Sequence, residues 1–372
     1  MKNVSTLMDK AERPIRAVQF GTGNFLRAFA DWMLEIVNEK TDWNGSVVMV
    51  KSTGHGSLSA LKGQDCVYTV ALRGLENGAP VERFCTVTCV SDVLACPAEY
   101  DRVLALAKLP ELRFVLSNTT EAGIAWDERD EAADRPPRSF PAKLTQLLYA
   151  RAQAFDYAGN KGLIMLPMEL IDDNGGALRT LVVRYAEKWA LGERFLNWLD
   201  ESCAFASTLV DRIVTGKPAD ADALCAKLGL QDDCLVAAEP YMSWVIACDR
   251  EIEEELPLQK AGLPVIYAQD LAPYRTRKVR LLNGAHTSFV PAAYLAGFDI
   301  VRDAVLDPDF GRFIRKTLEK EILPTIDQPE EELRAFANSV LERFANPYID
   351  HSLLAICLNS VSKWRARILP TL

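Results

Sequence analysis

Residues 15–29 read Ile-Arg-Ala-Val-Gln-Phe-Gly-Thr-Gly-Asn-Phe-Leu-Arg-Ala-Phe, and the order of residue types in this stretch decides the fold. Ile15 to Phe20 is a short strand-like run that enters Gly21-Thr22-Gly23 without a break. From Phe25 to Val37 apolar residues recur at helical spacing. Strand, glycine turn and helix in that order open a dinucleotide-binding βαβ unit. The first glycine permits the tight turn, and the second lets the backbone approach a pyrophosphate at the helix N-terminus. A full fingerprint has a third glycine three residues later, where this chain has Leu26. The turn alone leaves a second ligand class open, adenosylmethionine, because methyltransferases also place a glycine-rich turn after their first strand.

Working outward, Trp43-Asn44-Gly45 is a turn, and Val47 to Val50 is a continuous apolar run suited to a buried parallel strand. NAD-binding chains usually end this second strand in an acid that holds the ribose 2′-hydroxyl. Here it ends in Lys51-Ser52-Thr53. Lys51 has two readings, a partner for the 2′-phosphate of NADP or a solvated side chain at the sheet edge. Further strand-like segments fall at Cys66–Leu72, Phe84–Val90, Arg113–Ser117 and Leu163–Pro167, with helical segments at Glu99–Ala107 and Pro141–Phe155 and from Gly175 to about Ala206. Strands alternating with helices predict an α/β, Rossmann-like, doubly wound and mainly parallel sheet. Ser117-Asn118-Thr119-Thr120-Glu121 follows one of its strands, and faces a ribose or nicotinamide or else caps a helix.

Val265–Asp270 reads as the last strand. Beyond it the periodicity is helical: Val279–Phe289, Phe310–Glu321, Glu330–Phe344 and His351–Trp364. The predicted domains are a dinucleotide-binding domain over 1–270 and an all-helical catalytic domain over 271–372. The chain stops soon after Ile368-Leu369-Pro370, so the helical domain is expected to be truncated.

The formal charge is −9, and no block of consecutive Lys or Arg occurs. That argues against nucleic acid or an anionic membrane as partner, since both attract basic patches. The nine cysteines are odd in number and include no C-x-x-C pair, and the closest cluster is Cys85, Cys89 and Cys96. With only His55, His286 and His351 available, reduced thiols are expected rather than a metal site. The N-terminus, MKNVSTLMDKAERP, is polar, and no apolar run approaches the ~18 residues of a membrane span. A cytoplasmic protein with no membrane partner is expected. Its oligomeric state is left open by the residues.

The chemistry is expected in Arg277–Pro291, RKVRLLNGAHTSFVP. Lys278, Asn283 and His286 stand at steps of five and three. At ~100° per residue they fit an arc of roughly 140° on one helix. Carbonyl reduction needs a proton donor for the oxygen that becomes an alkoxide, and a Lys with its pKa lowered by burial can serve. Asn283 and His286 can donate hydrogen bonds to the same oxygen. A structural histidine and an Asn283-Gly284 turn are the plainer readings of the same residues.

Taken together, these motifs resemble the polyol-specific long-chain dehydrogenases, the family of mannitol 2-dehydrogenase and the uronate reductases. GTGNFLRAF (Gly21–Phe29) is similar to the family's nucleotide signature, Lys278-x4-Asn283-x2-His286 to its catalytic motif, and RFANPYIDH (Arg343–His351) and SKWRARILP (Ser362–Pro370) to its C-terminal domain. QFGTGNFLRAFADW, RFVLSNTTEAGI, STLVDRIVTG and KVRLLNGAHTSFVP resemble most its tagaturonate-reducing branch. The resemblance implies metal-independent, reversible reduction of D-tagaturonate to D-altronate with NADH, a reaction of hexuronate catabolism. It implies Lys278 as general acid and base, with Asn283 and His286 polarising the carbonyl. Gly21, Gly23, Asn24, Phe25, Arg27, Lys51, Asn118 and Thr119 become the expected contacts of the cofactor. Arg212, Arg277 and Arg367 are the expected candidates for the substrate carboxylate, whose natural partner is a bidentate Arg. The NAD preference comes from the resemblance, since the acid after the second strand is missing, and NADP stays possible. Fructuronate reductase, mannitol or another polyol dehydrogenase, and a non-catalytic dinucleotide sensor are the alternatives.

Overall fold

The computed structural model describes residues 1–52, 56–120 and 122–372. Thr53, His55 and Glu121, which entered the reading above, lie outside the described residues. The chain forms two compact units. One comprises Met1–Ala71, Phe84–Ala238 and Met242–Gln269, the other Leu72–Arg83, Glu239–Tyr241 and Asp270–Leu372.

The first unit is built on six strands: β1 (Ile15–Phe20), β2 (Ser46–Lys51), β3 (Val90–Ala95), β4 (Phe114–Ser117), β5 (Ile164–Pro167) and β6 (Ala204–Phe205). Their order in the sheet is β3-β2-β1-β4-β5-β6, and every pairing is parallel. The strand order reverses between β1 and β4, so the ligand crevice of such a sheet lies beyond the carboxyl ends of those strands. Phe20 pairs with Val50 on one side and Ser117 on the other. The three strands therefore end level, and Gly21, Lys51 and Asn118 emerge together. Gly21 N donates to the Val50 carbonyl at 3.0 Å and Asn118 N to the Phe20 carbonyl at 3.2 Å.

Both sheet faces are covered, as an all-parallel sheet requires. Val18 and Phe20 of β1 pack with Val48, Val50 and Val115 in one apolar core, while Ala17 and Gln19 point the other way and are also buried. The longer helices are α1 (residues 24–40), α2 (Cys96–Leu106), α3 (Phe140–Ala154), α4 (Asn174–Lys188) and α5 (Glu193–Ser202). The single helical stretch expected from Gly175 to Ala206 is two helices. Ala190 and Gly192 adopt φ of 50° and 92° and turn the chain between them. A further sheet joins β7 (Ser207–Asp211), β8 (Ser243–Ala247) and β9 (Val265–Ala268), with β7 antiparallel to β8 and β8 parallel to β9. The segments expected at Cys66–Leu72 and Phe84–Val90 are longer strands, Tyr68–Glu76 and Ala79–Val87. They are joined by Asn77-Gly78 with φ of 52° and 76°, the conformation a two-residue hairpin selects.

The second unit is mainly helical: α6 (residues 272–295), α7 (Val301–Leu306), α8 (residues 308–322), α9 (Glu330–Phe344), α10 (Leu353–Cys357) and α11 (Ser360–Arg367). Leu281, Leu282, Phe289, Val290, Leu318, Val340, Phe344 and Leu353 form its core. The helix expected over His351–Trp364 is broken. Leu358 is extended and Asn359 is left-handed at φ 59°, a conformation Asn tolerates better than most residues. Among the described residues no helix is long and apolar enough to cross a membrane.

Candidate active site

In the first unit the glycine turn has the shape that a dinucleotide requires. Gly21 has φ 137°, and a Cβ there would lie 2.7 Å from Leu26 Cδ1 and 3.2 Å from the Asn118 carbonyl oxygen. Around Gly23 an added Cβ would meet nothing within 4 Å, so this side of the turn is open to an approaching phosphate. Leu26, the departure from the three-glycine fingerprint, is buried and fills the space beneath Gly21. α1 begins at Asn24, and its first amides have no helical acceptor, which suits an anion. The residues present fit a dinucleotide pyrophosphate.

Other expected contacts are taken up internally. Arg27 donates to Asn24 Oδ1 at 2.6 Å and to the Cys234 carbonyl, and lies over the Tyr68 ring. Phe25 stacks on Phe29. Lys51 donates to the Gly56 carbonyl. Beside it the Ser52 hydroxyl is buried with no hydrogen-bond partner among the described residues.

Two buried carboxylates, not found from the sequence, hold this end of the sheet. Glu169 follows β5 and is 2% exposed. One of its oxygens accepts from Thr119 N and Thr119 Oγ1, both at 2.9 Å, and the other from Ser117 Oγ at 3.1 Å. Asn118 donates to the Met168 carbonyl at 2.9 Å. Glu169 thus pins the Ser117–Thr119 loop to β5. Asp31 lies in the one π-helical turn of α1, Arg27–Asp31. Its Oδ2 accepts from Tyr68 OH at 2.9 Å and Gln19 Nε2 at 3.3 Å, and Gln19 Nε2 also donates to the Gly21 carbonyl.

Burial pushes the Asp31 carboxyl from its ordinary 3.8 up to about 7, against the lowering effect of Tyr68, Gln19 and Arg27. Between about pH 4 and 7 the native chain holds a proton here that the unfolded chain has released, so this group makes stability fall as pH rises through that window. Asp31→Asn removes the component. The urea midpoint of the variant is expected to gain on wild type as pH rises from about 5 to 8, and a pH-independent difference would refute the assignment.

In the second unit, α6 changes winding at the expected chemistry. Ala272–Arg277 and Ala285–Leu295 are α-helical, and Lys278–Gly284 between them is π-helical. The uniform 100° step expected from the sequence therefore fails here. In i→i+5 winding, residues five apart stand one above the other, so Lys278 and Asn283 share a stripe. His286, three residues on in the α-helical part, is Asn283's neighbour. Lys278 and Asn283 are half-buried, and His286 is 6% exposed. The His286 ring stacks on Phe344 with centroids 4.2 Å apart and meets His351 edge-on at 5.2 Å. Burial, then the positive fields of His351, Arg343, Arg367 and Lys363, hold its pKa well below the usual histidine value. Its Nε2 is buried with no partner among the described residues. A neutral imidazole with a spare nitrogen can donate to or accept from a polar ligand atom.

The three expected carboxylate arginines part company. Arg212 is buried in the first unit, where it donates to the Ala28 carbonyl at 2.8 Å and lies over the Trp32 ring. Arg277 pairs with Glu332 at 3.3 Å and packs on Tyr274 and Phe336. Among the described residues, Arg367 reaches only the hydroxyl of Thr287, at 3.4 Å, the residue that follows His286 in sequence. The cysteines are free, and burial raises those of the closest cluster, Cys85 to about 12 and Cys96 to about 11. Such thiols stay protonated in this setting.

Residues 15–260 match the mannitol dehydrogenase Rossmann domain, and residues 270–372 match the mannitol dehydrogenase C-terminal domain. The chain belongs to the mannitol dehydrogenase family. The members of this family are oxidoreductases acting on CH–OH groups, and the first unit of the chain is the family's dinucleotide-binding fold. The altronate oxidoreductase of Yersinia enterocolitica serotype O:8 / biotype 1B is 48% identical over 361 residues, which is 96% of this chain and 75% of that protein. That of Shigella flexneri is 48% identical over 364 residues, 97% of this chain and 75% of its own length. A crystal structure of D-sorbitol dehydrogenase in substrate-free form superposes with a TM-score of 0.83 at 26% identity, covering 100% of this chain and 80% of that one. The Pseudomonas fluorescens mannitol 2-dehydrogenase ternary complex with NAD and D-mannitol has the same fold. Its TM-score is 0.79 at 22% identity, over 98% of this chain and 75% of that one.

Proposed function

We propose that this chain interconverts D-altronate and D-tagaturonate with NAD as the dinucleotide. The observation that carries the reading is the π-helical turn that aligns Lys278 with Asn283 beside the buried Nε2 of His286, which has no partner among the described residues. Identity of 48% to altronate oxidoreductases over nearly the whole chain supports the substrate. In this reading the residues up to about 270 hold the cofactor and those from 271 onward carry the Lys-Asn-His set.

When bound, the dinucleotide supplies the hydride. The Lys278 ammonium gives its proton to the carbonyl oxygen as negative charge develops there, and in the oxidative direction the free amine takes the hydroxyl proton back. Asn283 and His286 donate hydrogen bonds to that oxygen, and their buried setting makes each worth more than it would be in water. Gly21, Gly23 and the first amides of α1 receive the pyrophosphate. The Ser52 hydroxyl at the end of β2 suits a ribose hydroxyl. Lys51, already on the Gly56 carbonyl, is not poised for a 2′-phosphate, and this favours NAD.

Oxidation of NADH and of NADPH with D-tagaturonate, D-fructuronate and D-fructose tests the reading. D-tagaturonate with NADH is expected to give the highest kcat/KM. A higher value with fructuronate or fructose would move the substrate. Turnover of no keto sugar would leave a dinucleotide-binding protein without this activity.

A further inference from the structure

α11 packs against the π-helical segment and the start of the α-helical part that follows it. It brings two cations there. Arg367 Nη1 stands 3.4 Å from Thr287 Oγ1, and the Arg367 carbonyl oxygen lies 3.3 Å from where a Cβ on Gly284 would be. The residue thus touches α6 on both sides of His286 in sequence. Lys363, one turn earlier on α11, donates to the Ile356 carbonyl at 2.7 Å. Neither cation has an acidic partner among the described residues. Arg277, Arg302 and Arg343 of the same unit are each paired, with Glu332, Asp350 and Glu239 respectively.

Both cations are half-buried, and burial draws the Arg367 pKa downward. A guanidinium in that position gives up hydration and, with one long hydrogen bond, recovers little of it. Its field reaches His286, whose buried Nε2 has no partner among the described residues. Uncompensated positive charge around an unsatisfied buried nitrogen is the arrangement an anionic ligand completes.

We propose that Arg367, supported by the charge of Lys363, is the subsite that binds the substrate's carboxylate. The guanidinium fork takes both carboxylate oxygens, as its fixed donor geometry favours. The subsite makes the enzyme select sugar acids over neutral sugars of the same carbon skeleton. This rests on the hexuronate reading above, and the experiment separates the two.

Steady-state kinetics with D-tagaturonate and its neutral counterpart D-tagatose are compared for wild type, Arg367→Gln, Arg367→Lys and Arg365→Gln. Titration of D-altronate and of the corresponding neutral hexitol into each protein with NAD bound reads affinity without turnover. Arg367→Gln is expected to raise KM for tagaturonate by roughly 30- to 100-fold, the loss of a charge-assisted hydrogen bond, and to collapse the tagaturonate-to-tagatose preference by the same factor. Arg367→Lys restores part of the loss, because a point charge attracts a carboxylate without matching its fork. Arg365 is exposed on the same helix, and Arg365→Gln is expected to change neither substrate's KM. Equal losses on acid and neutral sugar, or an unchanged tagaturonate KM, would overturn the assignment. Should turnover be absent, aldonate binding no tighter than hexitol binding in wild type overturns it equally. Tight aldonate binding that Arg367→Gln abolishes would uphold the subsite even if tagaturonate proved not to be the substrate.

Discussion

Lys278→Ala is expected to lower kcat for keto-acid reduction by about 10²- to 10⁴-fold, the range a positioned general acid contributes. Dinucleotide affinity, assigned to the first unit in the proposed reading, should stay within a factor of about three of wild type. In reduction the oxygen acquires alkoxide character while hydride arrives, and without Lys278 only neutral donors face it. Asn283 stands one π-turn away on the same stripe and His286 is buried beside it, but neither carries a proton it can fully surrender there. The field that lowers the proton affinity of His286 keeps it neutral, and so makes it a poor substitute acid. Lys278→Arg should fail to rescue, since a guanidinium keeps its proton at any working pH. Single-turnover NADH oxidation, with NADH binding followed by fluorescence, checks both halves. A variant kcat within tenfold of wild type would remove Lys278 from the role of proton donor.

The sequence carried the doubly wound sheet clearly, because its signal is local. Ile15–Phe20, Gly21-Thr22-Gly23 and the helix behind them are contiguous, and the apolar run Val47–Val50 reports a strand buried on both faces. The Lys278, Asn283 and His286 spacing was equally visible, whereas the π winding that aligns it was not, since no side-chain pattern separates seven π-helical residues from seven α-helical ones. The broken helix after His351 and the paired helices between Asn174 and Ser202 were hidden for a related reason. Left-handed Ala190 and Asn359 are residue types that announce a turn less strongly than glycine does, although Gly192 stands two residues after Ala190 in the first of these turns. Asn77-Gly78, by contrast, is a residue pair that announces its hairpin.

The second layer of the site was illegible because it is long-range. Glu169 reaches Ser117 and Thr119 from some fifty residues away. Asp31 meets Tyr68 across 37 residues, and Arg367 meets Thr287 across 80. Residue types nominated Arg212, Arg277 and Arg367 as equals for a carboxylate. What separates them is whether another group in the fold already occupies the guanidinium, which the packing of Arg212 on α1 and of Arg277 and Arg367 among α6, α9 and α11 decides.

The largest stability effect is expected at Glu239, which sits with Pro240 and Tyr241 in the second unit. Its carboxylate accepts from Arg343 Nε at 3.0 and 3.1 Å and from Arg343 Nη2 at 2.9 Å. The two side chains are 1% and 4% exposed, and the guanidinium lies 4.2 Å over the Tyr241 ring. Glu239→Gln takes the carboxylate charge away from a buried guanidinium, and breaking such a buried pair costs about 3–5 kcal/mol. Replacing both partners, Glu239→Leu with Arg343→Met, removes the desolvation cost along with the attraction and should return stability to near wild type. Urea denaturation of the three proteins decides the point, and a loss in Glu239→Gln below about 1 kcal/mol would make the pair no better than a surface bridge. The double variant also isolates a second role. Arg343 is one of the positive groups holding the His286 proton affinity down, so with the fold restored and that charge gone, His286 should bind a proton more readily. If its titration, followed by NMR of the imidazole, is unmoved in the double variant, the pair serves the fold and not the electrostatics around His286.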